Sequence, residues 1–329
     1  MKVKITELKE TASKAIRCYG YSDEETQTIL EVLMYAQLRG NNQGVVKLIG
    51  KGIPKREGVQ PPKIVKETPV SALVDGNQTH AMIVMGYVTD LATKKAKQSG
   101  IGIAGNFNTD ESTGALGYYV KRIANQGLIG IAFSSAPFQT TAPHGSSEAR
   151  FCTNPIACGV PTVADPVLLD MSTSAMAYYG LVEAKTAGKQ IPEGIGYDSE
   201  GNNTTDPAKI MGGALKTIAG HKGSGLALVV QILAGALVKA DSFDNDSQNA
   251  GNLVLAIDPN IFVPSEEFKK NVSGMVAKVK SARKLEGVGE IMAPGERGNI
   301  LTRDRLNADE IEIEDNLYQE LKRVAENSI

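Results

Sequence analysis

Three polar, glycine-bearing segments concentrate the side chains able to do chemistry. The first is Ala142-Pro143-His144-Gly145-Ser146-Ser147, with Cys152-Thr153-Asn154-Pro155 close behind. Small hydroxyl and amide residues beside glycine let backbone N–H groups approach an anion; the alternative is a plain inter-strand loop. The second is Asp170-Met171-Ser172-Thr173-Ser174, between an expected strand and an expected helix. Open α/β sheets hold ligands beyond the carboxyl ends of their strands. The hydroxyls there either cap the helix or bind phosphate. The third, Gly220-His221-Lys222-Gly223-Ser224-Gly225, opens an apolar helix. A lysine beside glycines at the positive end of a helix dipole suits a phosphate; otherwise it is a solvated side chain. His80, His144 and His221 are the only histidines. No two stand four apart on a helix, so no metal site is expected.

These segments need a scaffold, and the chain supplies an alternating one. Thr6–Cys18 has the spacing of an amphipathic helix. Ser22 and Glu25 form a capping-box pattern for a second helix that ends near Gly40. A loop, Gly52–Pro62, follows. From residue 70 strands and helices alternate: strands at 70–74, 101–107, 128–134, 156–160, 167–170 and 253–257, helices at 80–98, 117–125, 174–187, 221–240, 265–280 and 315–326. That order argues for α/β layers. Helix 221–240 is apolar nearly all round (Leu226, Leu228, Val229, Ile232, Leu237) and is expected to be buried.

A length of 329 residues suggests two lobes. The expected division is a helical terminal lobe (1–70 with about 281–329) and an α/β region, 71–280, that binds cofactor and substrate. The charge of −2 gives no electrostatic reason to expect nucleic acid or an anionic membrane. Three cysteines are no disulfide framework, and the charged amino terminus resembles neither signal peptide nor membrane span. A cytoplasmic location is expected.

Gly100, Gly102 and Gly105 spell G-x-G-x-x-G, but the dinucleotide fingerprint needs strand, turn, then helix. Here a helix comes first. Gly100 reads as its C-terminal cap, and a strand carries the other two.

In order and spacing, seven pieces resemble the malate/L-lactate dehydrogenase family, which includes sulfolactate, ureidoglycolate and diketogulonate dehydrogenases and piperideine-carboxylate reductases. They are Leu38-Arg39-Gly40, Thr153-Asn154-Pro155, Asp170–Ser174, Ile191-Pro192-Glu193-Gly194, Thr204-Thr205-Asp206-Pro207, Gly220-His221-Lys222-Gly223 and Pro294-Gly295-Glu296. The resemblance spans nearly the whole chain. It implies a three-layer α/β fold with a mixed central sheet, like L-sulfolactate dehydrogenase and unlike a Rossmann domain. It also implies a homodimer, an NAD or NADP cofactor and a small carboxylate substrate. Cofactor contacts in the family fall on Asp170, Met171, Ser172, Thr173 and Ser174, on His221 and Lys222, and on Gly295 and Glu296. The loop Pro143-His144-Gly145 looks like another cofactor-side segment, and Asp198 matches an aspartate near the active site of relatives. Arg39 and Lys47 follow the family's substrate-side segment, where a cation would hold a carboxylate; the alternative is a surface salt bridge.

The chain departs from the family where the chemistry is done. Relatives read Arg-Gly-x-x-Ser-His-Gly; this chain reads Arg39-Gly40-Asn41-Asn42-Gln43-Gly44, with Gln43 in the histidine's place. The family's Asn-Ser-x-His-x-Gly becomes Asn108-Thr109-Asp110-Glu111-Ser112-Thr113-Gly114, again without histidine. Tyr179-Gly180 replaces a Gly-Lys pair, which leaves NAD against NADP open. Reducing a ketone creates an alkoxide that needs a proton, and glutamine does not titrate. A protonated imine brings its own, so the losses favour a 2-imino acid over a 2-oxo acid. Alternatively His144, Glu111, Asp198 or Lys47 supplies the proton, or the chain is a cofactor-binding pseudoenzyme with a regulatory role.

Overall fold

The computed structural model describes residues 1–110, 112–241 and 249–326; Glu111, one of the proton-donor candidates, lies outside them. Seven strands form the central sheet, in the spatial order Lys63–Glu67, Ser71–Asp75, Ile101–Thr109, Ala250–Ile257, Ile129–Ser135, Ile156–Val160 and Val167–Met171. Only Ser71–Asp75 and Ile101–Thr109 run parallel, joined by the helix Ala81–Ser99; the other neighbours are antiparallel. The sheet is therefore mixed.

Glycines set the layer spacing. A Cβ on Gly102 would lie 1.9 Å from the carbonyl oxygen of Ala92, so helix Ala81–Ser99 sits directly on the strand backbone. Gly105, of opposite parity on the same strand, would instead meet Val238. Side chains alternate between faces along a strand, so Val238 covers the face away from that helix. The result is three layers. Gly100 caps the helix in the left-handed region at φ 80°, with its N–H on the Ala96 carbonyl at 2.8 Å. The G-x-G-x-x-G match is thus a packing device.

The capping box forms as the sequence demands: Ser22 and Glu25 exchange hydrogen bonds at the start of helix Asp23–Leu38. His80 begins the next helix, its Nδ1 accepting the N–H of Met82 at 3.2 Å. Both chain ends meet. Lys2–Lys4 pairs antiparallel with Glu310–Glu312, and the terminal helix Asp315–Glu326 buries Leu317, Tyr318 and Leu321 in the core beside Leu8 and Ile16.

Two expectations change. Helix 174–187 starts later, at Tyr178. The hydroxyls of Ser172 and Ser174 donate to the carbonyls of Ser174 and Met176, so they shape a turn and do not cap the helix. The helix His221–Ala234 is also less buried than its composition suggests. Its inner side packs on Ile129–Ser135 and Ala250–Ile257. Its outer side leaves Leu228 and Val229 at 48% and Ile232 at 51% exposure. The run His221–Val238 is long and apolar enough to cross a membrane by length and composition alone.

Candidate active site

A cavity of about 1100 Å³ lies where the second helix, the end of strand Val167–Met171 and the start of helix Glu296–Ala308 meet. Arg39, Gln43, Asp170, Met171, Ser172 and Gly295 line it, so substrate-side and cofactor-side candidates share one chamber. Helix Asp23–Leu38 ends just before Arg39, and the following turn carries Gln43 to the wall. Asn42 fits there because residue 180 is glycine; a Cβ at Gly180 would stand 2.5 Å from the Asn42 Nδ2.

Asp170 is half-buried at the end of its strand and accepts the Gly117 N–H at 2.8 Å. Burial raises its pKa to about 6, against the opposing pull of that N–H and of Arg39. Arg39 is half-buried. Its guanidinium donates to the Gly295 carbonyl at 2.6 Å and to the Asn299 Oδ1, and a Cβ on Gly298 would press against it. The fork thus holds the chamber wall at Gly295, and Arg39 is a positioning residue in this geometry. Arg39→Met is expected to cost about 1.5–3 kcal/mol of stability through the lost charged hydrogen bonds. Urea unfolding checks this; an unchanged midpoint would contradict it.

The polar turns adjoin one another. Ser174 forms a bridge with Thr217, Ala175 N–H donates to the Lys216 carbonyl at 2.7 Å, and Ile218 N–H donates to the Thr173 carbonyl at 2.8 Å. Thr173 in turn donates to the Thr153 carbonyl. These bonds stitch segment 172–175 to the strand leading into helix His221–Ala234. From the other side the His144 N–H donates to Ser224 Oγ at 3.1 Å, and the His144 and His221 rings lie 6.0 Å apart. Pro143, His144 and Gly145 line a smaller cavity of about 360 Å³ with Gly220. His144, His221 and Lys222 are exposed. His144 therefore faces the smaller cavity, not the chamber that holds Gln43.

Two candidates stand apart from both cavities. Asp198 accepts the N–H groups of Glu200 and Asn202 in a hairpin turn, and these bonds, led by Asn202, lower its pKa. It is a turn-closing carboxylate and a poor proton donor. Glu296 accepts from Lys280 and from the Ala293 N–H, which hold its carboxyl below the usual range. It fixes the turn at Gly295, whose φ is 86° and whose Cβ would meet the Leu168 backbone.

Lys47 is buried, at 1% exposure, with its ammonium 2.8 Å from Ser112 Oγ and 3.3 Å from the Tyr179 ring centroid. Its burial rules out an exposed surface side chain. Ser112 and Tyr179 line the chamber, and so does Asn252, whose Oδ1 has no partner among the described residues. Sequence did not single out Ser112 or Asn252 as site residues, and it marked Tyr179 only as a departure bearing on the choice of nicotinamide cofactor. Counting back two residues from Gly114 puts Ser112 where the family's histidine stands, a usable signal. Asn252 is a polar residue in an otherwise apolar strand.

The family model for malate/L-lactate dehydrogenases matches residues 3–322. The malate/(S)-sulfolactate dehydrogenase of Methanothermus fervidus is 35% identical, over 95% of this chain and 94% of its own. The Delta(1)-pyrroline-2-carboxylate/Delta(1)-piperideine-2-carboxylate reductase of Pseudomonas putida is 30% identical, over 90% of this chain and 89% of its own. The solved malate dehydrogenase of Pyrococcus horikoshii OT3 superimposes with a TM-score of 0.87 at 30% identity, covering 100% of this chain and 95% of that one. Fold, chamber and sequence agree that the chain is an oxidoreductase of the malate/L-lactate dehydrogenase family.

Proposed function

We propose that this enzyme transfers hydride between a nicotinamide dinucleotide, NAD or NADP, and carbon 2 of a small 2-oxo or 2-imino carboxylic acid. The observation that carries the reading is the single chamber joining Gln43 and Ser112 to Asp170, Ser172 and Gly295. The residues present fit the cofactor. The unpartnered amide oxygen of Asn252 at the wall complements a carboxamide N–H. Ser172, His144, His221 and Lys222 would hold the rest of the dinucleotide. The bound nicotinamide would supply or accept the hydride. Lys51 and Ser112 line the chamber and supply the positive and hydrogen-bonding surface that a carboxylate substrate needs.

No histidine lines the chamber among the described residues. That favours a 2-imino acid, which arrives protonated and needs positioning more than an acid. The observation favouring a 2-oxo acid is the Lys47–Ser112 pair. Steady-state rates on a cyclic imino acid and on 2-oxo acids separate the two; a clear preference for the oxo acid removes the imine reading. Nicotinamide binding with turnover of neither would support a pseudoenzyme.

The outward apolar side of helix His221–Ala234 supports a homodimer, tested by sedimentation velocity; a monomer at micromolar concentration would contradict it. A sparse set of three cysteines, with no disulfide among the described residues, supports a reducing compartment, and we place the protein in the cytoplasm.

A further inference from the structure

Ser112 carries one hydroxyl proton and two acceptor lone pairs. Both acceptor positions are taken: Lys47 Nζ donates at 2.8 Å and the Gly114 N–H at 3.3 Å. No acceptor for the Ser112 proton occurs among the described residues, and the hydroxyl lines the chamber. The proton is therefore left available to a group that enters the chamber. Behind it, Lys47 is held in place by the Tyr179 ring under its ammonium, a contact that favours the cation.

Resting on the hydride-transfer reading above, we propose that Ser112 is the catalytic hydrogen-bond and proton donor to the atom on carbon 2, and that Lys47 is the positioning residue that recharges it. The wiring selects the substrate class. A hydroxyl with both lone pairs occupied can donate to a carbonyl oxygen but has nothing to offer an iminium N–H. The Lys47 charge likewise favours a developing alkoxide and opposes an iminium cation. The site is built for 2-oxo acids and their 2-hydroxy products.

The step balances. As hydride arrives at carbon 2, the carbonyl π pair moves onto oxygen. That oxygen takes the proton from Ser112 as the Oγ–H bond breaks. A proton from Lys47 Nζ restores the Ser112 hydroxyl, leaving a neutral amine that regains its proton from solvent. Oxidation of the 2-hydroxy acid runs the same transfers backwards. The Tyr179 that replaces the family's glycine, and the serine and lysine, then form one coordinated substitution for the missing histidines.

The test uses the full-length chain with Ser112→Ala, Lys47→Arg and the wild type. Ser112→Ala should lower 2-oxo acid turnover about 10²–10⁴-fold, leaving nicotinamide affinity unchanged by fluorescence titration. Calorimetric binding of oxamate, a non-reducible 2-oxo acid analogue, should weaken about tenfold, one hydrogen bond's worth. Lys47→Arg keeps the charge but cannot give up a proton. It should therefore lower kcat for 2-oxo acid reduction while leaving KM and nicotinamide affinity little changed. Equal 2-oxo acid turnover and oxamate affinity in Ser112→Ala would overturn the proposal while leaving hydride transfer intact. A wild type that reduces only the imino acid would overturn it too. A wild type that binds neither nucleotide would overturn the underlying reading, and this one with it.

Discussion

Replacing His80 by Asn is expected to remove about 3 kcal/mol of acid destabilisation between pH 7.5 and pH 4.5. His80 is buried at the start of helix Ala81–Ser99, and its pKa falls to about 3. Burial is the main cause, and the charges of Lys47 and Lys51 add to it. The unfolded chain binds a proton at this position near pH 6.5, the folded chain only near pH 3. Stability from His80 is therefore complete above pH 6.5 and drains away as pH falls toward 3, at about 1.4 kcal/mol per unit. Asn keeps the cap, since its side-chain oxygen accepts from Met82 N–H, but it cannot charge. Urea unfolding of both proteins at the two pH values measures the change in their difference. An unchanged difference would show that His80 is not held neutral.

Asp170→Asn should act in the opposite sense. The folded-state pKa of about 6 lies above the 3.8 of an ordinary aspartate. The folded chain thus binds the proton more tightly, and the stability this gives is complete below pH 3.8 and lost as pH rises through 6. At pH 8 the ionised, half-buried carboxylate costs roughly 3 kcal/mol. Asn still accepts from the Gly117 N–H without that charge. The variant should be about 3 kcal/mol more stable at pH 8 and no different below pH 3.8. A destabilised variant at pH 8 would mean that the Arg39 attraction outweighs burial. Between pH 6 and pH 4 the two groups oppose each other in the wild type, so each is seen clearly only in its variant. A half-buried carboxylate kept at a cost in the chamber wall is the pattern of a functional group.

Local rules made much of the scaffold legible. The Ser22–Glu25 box, the Gly100 cap and the alternating apolar strands announced their elements, because neighbouring residues decide them. The strand Lys2–Lys4 was not legible: its partner, Glu310–Glu312, is about three hundred residues away and no local pattern reports that pairing. The polar helix Glu296–Ala308 buries only Gly298 and so lacks an apolar stripe. The late start of helix Tyr178–Thr186 follows from hydroxyl-to-carbonyl bonds at Ser172 and Ser174, which compete with capping.

In the site, the resemblance located Asp170, Ser172, Gly295 and Gln43, and the structure places all four on one chamber. It gave no means of separating Arg39, which braces the wall, from Lys47, which faces Ser112. Both are cations in a single segment, and only the fold shows which partner each meets. Asp198 and Glu296 likewise read as functional carboxylates, yet their oxygens are occupied by local N–H and ammonium groups.

That the polar turns at Gly145, Ser172 and Lys222 serve one dinucleotide is tested most directly by titrating reduced NAD and reduced NADP into the full-length chain. Nicotinamide fluorescence should saturate with at least one of them and be competed away by its oxidised form. Absence of binding by either nucleotide at millimolar concentration would contradict the assignment.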